Sequence, residues 1–289
     1  MNNIFFCLLI FLSVFANAQT QQNINKNTGT TSNPITTIDS IRFNGSSTIM
    51  EVVLQNGTTD SHSISEIINV NFVSASNHSC GADSVHNPNL TYGSMIDQDG
   101  NVYKTIVIGT QEWMAENLNT RTYRNGDTIT NAVDINQWTN LSVGAWCYHD
   151  NNSQRECPFG KLYNWYVVAD PRNVCPMGWH VPSNEEWTTL TDFLGGEAIA
   201  GGKMKSTGIQ YWLNPNGSAT NESGFSGLPG RGRYDDGSFE PLGYDGYWWS
   251  TSEYASSLSF RHYLLYTNSY MDQDVMNKRC GFSVRCIRD

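Results

Sequence analysis

The sequence predicts an α+β chain: a β-rich main domain with two helices over residues 92–289, preceded by a small β unit over 35–73. Three observations carry this. Every Trp and Tyr lies at or beyond Tyr92, which sets a boundary near residue 90. Beyond it, runs rich in β-branched and aromatic residues are punctuated by Gly, Asn, Asp and Ser turns, as strands of a sheet are. Two stretches carry apolar residues at helical spacing instead.

Taken from the N-terminus, residues 4–15 form an apolar run of signal-peptide length, and Ala16-Asn17-Ala18 fits the small-x-small cleavage rule. Residues 1–18 are therefore expected to be a signal peptide. A membrane span needs about 20 apolar residues, so no transmembrane segment is expected. Residues 19–34, rich in Asn, Thr and Gln, have little to bury and read as a flexible leader. In the 35–73 unit, Ile35-x-x-Ile38-x-x-Ile41-x-Phe43 recurs as Ile64-x-x-Ile67-x-x-Val70-x-Phe72. Between the copies, 48–54 reads as a strand, and Asn56-Gly57 as a hairpin turn, because both residues tolerate positive φ. The unit is too small to hold much core by itself and reads as a spacer or docking module. Residues 74–91, rich in Ser, Asn and Gly, read as a linker.

The main domain opens on a hairpin, 94–97 then Asp99-Gly100-Asn101 then a strand over 102–108. The oxygen ligands of that turn resemble a calcium loop, but an EF-hand places its Gly two positions later, so a turn is expected. Leu162, Trp165, Tyr166 and Ala169 share one helical face, and Pro171 ends it. The second helix starts at Ser183, where Ser183 and Glu186 spell a capping box. Trp187, Leu190 and Leu194 then share a face, and Gly195-Gly196 stops the helix. Trp165 and Trp187 read as core. From Phe225 onward the pattern is β and turn: a Gly/Arg loop over 229–236, then strands over 247–253, 259–266 and 281–286.

A net charge of −10 argues against nucleic acid as a partner, since phosphates need clustered Lys and Arg. Beyond the signal segment lie six cysteines, Cys80, Cys147, Cys157, Cys175, Cys280 and Cys286. An even count in an exported chain reads as disulfides, and without a Cys-x-x-Cys pair a zinc ribbon is not expected. No Gly-x-Ser-x-Gly elbow and no His-Glu-x-x-His helix occurs, which leaves nucleophilic and zinc hydrolysis without support. His180 and His262 read as structural histidines.

Seven ordered segments resemble the Fibrobacter succinogenes major paralogous domain family. They are Asp99-Gly-Asn-Val-Tyr-Lys104, Trp113-Met-Ala-Glu-Asn-Leu118, Gly160-Lys-Leu-Tyr-Asn-Trp165, Cys175-Pro-Met-Gly-Trp-His-Val-Pro-Ser183, Gly224-Phe-Ser-Gly-Leu-Pro229, Tyr247-Trp-Trp-Ser-Thr-Ser-Glu253 and Gly281-Phe-Ser-Val-Arg-Cys286. The family implies an exported bacterial protein and brings no established set of catalytic residues. More distantly, the layout is similar to the C-type lectin-like fold, and Pro182-Ser183 with Glu186-Trp187 resembles the formylglycine-generating sulfatase-modifying family, which shares it. That fold implies a bridge between Cys175 and Cys286. The partners of Cys80, Cys147, Cys157 and Cys280 stay open.

Binding is the function these residues favour: a secreted or cell-surface, non-enzymatic module for polysaccharide or a surface protein. Sugar faces stack on aromatic rings while their hydroxyls need carboxylates or amides. Tyr244, Tyr247, Trp248, Trp249 and Glu253, with Arg231 and Arg233 of the preceding loop, offer both. Trp248 and Trp249 point to opposite faces of a strand, so one is expected in the core and one exposed. No cofactor is expected for such a module; calcium, through Asp235, Asp236 and Asp245, is the metal weighed for it. Two other readings stand beside this. In formylglycine-generating enzymes two cysteines four residues apart bind copper; here Cys280 and Cys286 have five between them, about 20 Å along an ideal strand. A structural surface protein assembling through the 35–73 unit is the third.

Overall fold

The computed structural model describes residues 84–289 throughout and, ahead of them, Ser65 and the strands of 19–75. The expected signal peptide, Cys80 and the Asn56-Gly57 turn lie outside the described residues. The early strands are β1 (Gln19–Lys26), β2 (Gly29–Pro34), β3 (Ile38–Phe43), β4 (Ile49–Leu54), β5 (Thr59–Ser63) and β6 (Ile67–Ala75). One sheet runs β2-β1-β6 and another β3-β4-β5. In β4, Met50 and Val52 are buried and Glu51 and Val53 less so, the period of two that a one-sided sheet imposes. The flexible leader expected over 19–34 is corrected: β1 and β2 pair with each other, and β1 pairs with β6 as well. Composition reports how much side chain can be buried; here backbone pairing on both edges of β1 decides.

The main domain continues with β7 (Gly93–Ile96), β8 (Val102–Ile108), β9 (Gln111–Met114), β10 (Thr130–Asn131), α1 (Ile135–Thr139), β11 (Ala145–Cys147), the short turn α2 (Glu156–Phe159), β12 (Leu162–Asn164), α3 (Trp165–Val168) and β13 (Trp179–His180). Then follow α4 (Asn184–Phe193), α5 (Glu197–Met204), β14 (Asp245–Ala255), β15 (Leu258–Leu265), β16 (Met271–Asn277), β17 (Gly281–Phe282) and β18 (Ile287–Arg288). Sheets run β13-β18-β9-β8-β7, β10-β11-β12-β17 and β14-β15-β16. The α+β class holds at this level. The chain end thus returns beside the first hairpin, with Ile287 opposite Trp113. Packing begins earlier than the expected boundary: Val85 and His86 are buried, and Asn221 Nδ2 donates to the Val85 carbonyl at 3.1 Å. Among the described residues no helix is long and apolar enough to cross a membrane.

Asp97 closes the first hairpin turn by accepting from the amides of Asp99 and Asn101, both at 2.9 Å, and from Tyr103 Oη at 2.6 Å. Its oxygens are spent on the turn, as the turn reading requires. The helix expected from Leu162 to Ala169 is corrected to a single turn, α3. Leu162 to Asn164 pair with β11 and β17 instead, and Asn164 caps α3 by accepting from the Val167 amide at 3.3 Å. The two buried members of the apolar pattern are Leu162, from a strand, and Trp165, from a helix, so periodicity alone could not separate the two, and Ala169 at its far end is exposed. α4 forms as read, with both halves of the capping box present and Trp187 and Leu190 buried. α5 was not read from sequence. Its Gly201 and Gly202 break helical propensity, yet a Cβ on Gly201 would meet the Tyr270 carbonyl oxygen at 2.1 Å, so close packing requires the glycine.

Two core clusters meet at β14. Trp248 packs with Trp113, Trp187 and Phe225; Tyr247 and Trp249 pack with Trp146, Tyr163 and Phe282. The expected bridge is present: Cys175 and Cys286 form a disulfide. Cys157 is disulfide-bonded too. The all-disulfide reading is corrected at Cys147 and Cys280, which are buried free thiols. They pack as small apolar groups, and burial pushes both thiols up to about 12.

Candidate functional site

Tracing each expected site residue separates a surface cluster from core. β14 carries Tyr247, Trp248 and Trp249 to alternate faces, as a strand must. Both faces are covered, so the expectation of one exposed indole is corrected: Trp248 and Trp249 are each 0 % exposed. Their N–H groups are also committed, Trp248 Nε1 to Asn117 Oδ1 at 2.9 Å and Trp249 Nε1 to the Tyr163 carbonyl at 2.8 Å. Neither ring can take a ligand without unpacking the core. Arg233 is likewise internal. Its guanidinium lies 4.5 Å from the Trp138 ring centre and donates to the carbonyls of Ala132 at 2.7 Å, Val133 at 3.2 Å and Gly237 at 3.1 Å. It ties loops together.

Glu253 sits on the exposed end of β14, on the order of 26 Å along the strand from Asp245. It pairs with Lys278 there, and Lys278 lies 4.4 Å from the Trp165 ring centre. The three aspartates do not converge. Asp235 pairs with Arg279 at 3.5 Å, Asp236 accepts from the Ser238 amide and hydroxyl at 2.9 and 2.6 Å, and Asp245 pairs with Arg231 at 2.6 Å. Among the described residues no group of three His, Cys, Asp or Glu is placed to hold a metal ion.

What the fold does bring together is Arg231, Tyr244, Asp245 and Tyr247, joined by Glu240. Arg231 leaves the 229–236 loop with φ +43, a left-handed conformation that costs a non-glycine residue energy. That geometry lets its amide donate to the Asp245 carbonyl at 2.9 Å while its side chain folds back over the same residue. The guanidinium reaches Asp245 Oδ2 at 2.6 Å and Glu240 Oε1 at 3.3 Å. Its face lies 4.5 Å from the Tyr244 ring centre. Tyr244 is 37 % exposed and is backed by Tyr266, edge-on at 5.4 Å. Underneath, Tyr247 Oη donates to Asp245 Oδ2 at 2.8 Å and to Glu240 Oε2 at 3.2 Å. Burial, then the Asp245 charge, pushes the Tyr247 phenol up, so it stays a donor. Burial and a hydrogen bond to Glu240 hold Tyr234 at about 12. The result is an open ring held rigidly beside two carboxylates and a guanidinium.

The Fibrobacter succinogenes major domain description matches residues 106–288, more than half of the chain. The chain belongs to this family. No curated protein and no solved structure matches this Fibrobacter succinogenes major domain protein. The matched span holds the whole Arg231–Tyr247 cluster and both ends of the Cys175–Cys286 bridge.

Glu240 and Tyr266 went unread in the sequence. Glu240 lies between two candidate residues and carries the right chemistry, so position was its one signal; Tyr266 reaches Tyr244 through the β14–β15 hairpin, which no local spacing reveals. The Cys280–Cys286 pair does not offer two thiolates here. Cys286 is bonded to Cys175, and Cys280 is 0 % exposed. His180 meets Asp289 Oδ1 at 2.6 Å and Glu186 Oε1 at 2.7 Å through its two ring nitrogens.

Proposed function

We propose that this protein is an exported, non-enzymatic binding module of C-type lectin-like build whose ligand is a polysaccharide. One observation carries the reading: the exposed Tyr244 ring, fixed between Arg231 and Tyr266 and flanked by Asp245 and Glu240. A sugar ring has an apolar C–H face that stacks on such a ring, and hydroxyls that donate to adjacent carboxylates. Pre-fixing the aromatic lowers the ordering cost of binding. Export is supported by the apolar 4–15 run and by the disulfide chemistry. The lectin-like build is supported by the pairing of β9 with β18 and by the bridge from the approach to α4 to the last strand.

The test is retention of the purified protein on insoluble polysaccharides and binding to a soluble glycan panel. Wild type is expected to bind at least one glycan, and Tyr244→Ala to weaken it by about tenfold with no shift in melting temperature, because the ring is partly exposed. Glycan binding that is equal in wild type and Tyr244→Ala would remove this surface as the site. Binding to no glycan in the panel would remove the polysaccharide reading.

A further inference from the structure

A second cleft, of about 30 Å³, lies between α4, α5 and the β15–β16 pair, away from Tyr244. Its polar lining is Thr188, Thr191 and Asp192 of α4, Glu197 of α5, His262 of β15 and Gln273 of β16, and Met271 of β16 adds an apolar wall. The volume is that of one water-sized group. The hydrogen bonds around it fix what that group must be. Thr188 Oγ1 donates to the Asn184 carbonyl and Thr191 Oγ1 to the Trp187 carbonyl, at 2.9 and 2.8 Å, so both hydroxyls turn lone pairs outward. His262 is stacked on Trp187 at 4.9 Å and is 5 % exposed. Its Nε2 meets Asn184 Oδ1 at 3.0 Å, an acceptor, so Nε2 carries the proton and Nδ1 a lone pair. Nδ1 has no hydrogen-bond partner among the described residues. Asp192 and Glu197 stand exposed and form no ion pair among the described residues. Asp272, next to Gln273, adds a further negative charge, and burial and Glu197 raise its pKa.

The hydroxyl lone pairs, the imidazole Nδ1 and the carboxylates accept, Gln273 adds an amide, and Asp192 and Glu197 form no ion pair among the described residues. A cation with several N–H donors completes such a cleft; among the described residues no three His, Cys, Asp or Glu groups are placed to hold a metal ion. We propose that this cleft is a binding site for a primary ammonium group, such as that of an amino sugar or a lysine side chain. The ammonium head occupies the volume of one water, donates to His262 Nδ1 and Thr191 Oγ1 at the floor, and is held electrostatically by Asp192 and Glu197 at the mouth. Burial holds His262 neutral, with its pKa down to about 3, which keeps Nδ1 an acceptor at any ordinary pH.

The probe is methylammonium chloride, titrated into the purified protein while the His262 ring resonances are followed by NMR. Tetramethylammonium chloride at equal ionic strength is the control, because it has the charge but no N–H donor. A saturable shift with methylammonium alone is expected, weakened by about tenfold in a D192N/E197Q double variant. Both positions are exposed, so the variant is expected to fold; its melting temperature checks this. Glucosamine against N-acetylglucosamine, and Nα-acetyl-lysine amide against Nα,Nε-diacetyl-lysine amide, which keeps no primary ammonium, separate the two sources. No saturable shift, an equal shift with tetramethylammonium, undiminished binding in the folded double variant, or acetylated forms that bind as well as free amines would each overturn the assignment.

Discussion

His262 makes a stability statement through its protonation alone. Burial lowers its pKa from 6.5 to about 3 in the folded chain, while the unfolded chain keeps the ordinary value. A depressed folded pKa means the unfolded state binds the proton first. Stability from this position is therefore complete above about pH 6.5 and is lost as the pH falls towards 3, with a slope of up to about 1.4 kcal/mol per pH unit. Asp97 works the other way: burial raises it to about 6, so its contribution is present at low pH and is lost as the pH rises through about 6. The two oppose each other between about pH 4 and 6, so the comparison has to be made against a variant. Urea unfolding at about pH 7 and 5 is expected to show wild type losing up to ~2 kcal/mol more than His262→Gln; parallel losses would refute the shift. Such residue-level facts are poorly legible in sequence. That Trp248 and Trp249 face opposite ways was readable, because alternation is local. That both faces are covered was not, since Trp248 meets Phe225 and Trp249 meets Phe282 only through tertiary packing.

At the scale of elements, α4 was the most legible piece, because its signals are contained within a dozen residues. Ser183 Oγ accepts from the Glu186 amide at 3.3 Å, and Glu186 Oε2 accepts from the Ser183 amide at 2.8 Å. Ser183→Ala is expected to cost about 1 kcal/mol in chemical denaturation. Glu186 has a second task that spacing did not reveal: its other oxygen meets His180, whose opposite nitrogen meets Asp289. Carboxylates only accept, so a ring bonded to both donates twice and is an imidazolium. Burial opposes that charge on His180, but the two carboxylates outweigh it and raise the pKa. A raised folded pKa gives stability that is present below the ordinary histidine value and lost as the pH rises past the folded one. The chain end should loosen accordingly: the Asp289 amide, bonded to the Gly178 carbonyl at 3.0 Å, is expected to lose hydrogen-exchange protection above neutral pH. Protection that does not change with pH, after correction for intrinsic rates, would refute the clamp. α5 was illegible for the converse reason. Its glycines make sense only against the Tyr270 backbone, which lies far along the chain.

At the scale of the whole molecule, the Cys175–Cys286 bridge closes a span of 111 residues, containing α4, α5 and the β14–β16 sheet. A loop of that length loses much entropy when cross-linked in the unfolded chain, and removing such a bridge typically costs 2–5 kcal/mol. A C175A/C286A variant is expected to lose about that much in urea unfolding without losing its fold. The thiols give an independent check on the cysteine assignment. Cys147 and Cys280 are fully buried and have pKa values near 12, so the thiolate that reacts is scarce as well as inaccessible. A thiol reagent is expected to leave both untouched in the native protein and to label both once the chain is unfolded without reductant. Cys157, Cys175 and Cys286 should stay unlabelled in both states. Rapid native labelling of Cys280 together with Cys286 would instead mean that the bridge is open and that the two cysteines are available as a pair. That result would return the copper-oxidase reading to consideration, since it requires both sulfurs as thiolates. Protection of Cys280 with Cys286 oxidised would instead remove the pair of thiolates on which that reading depends.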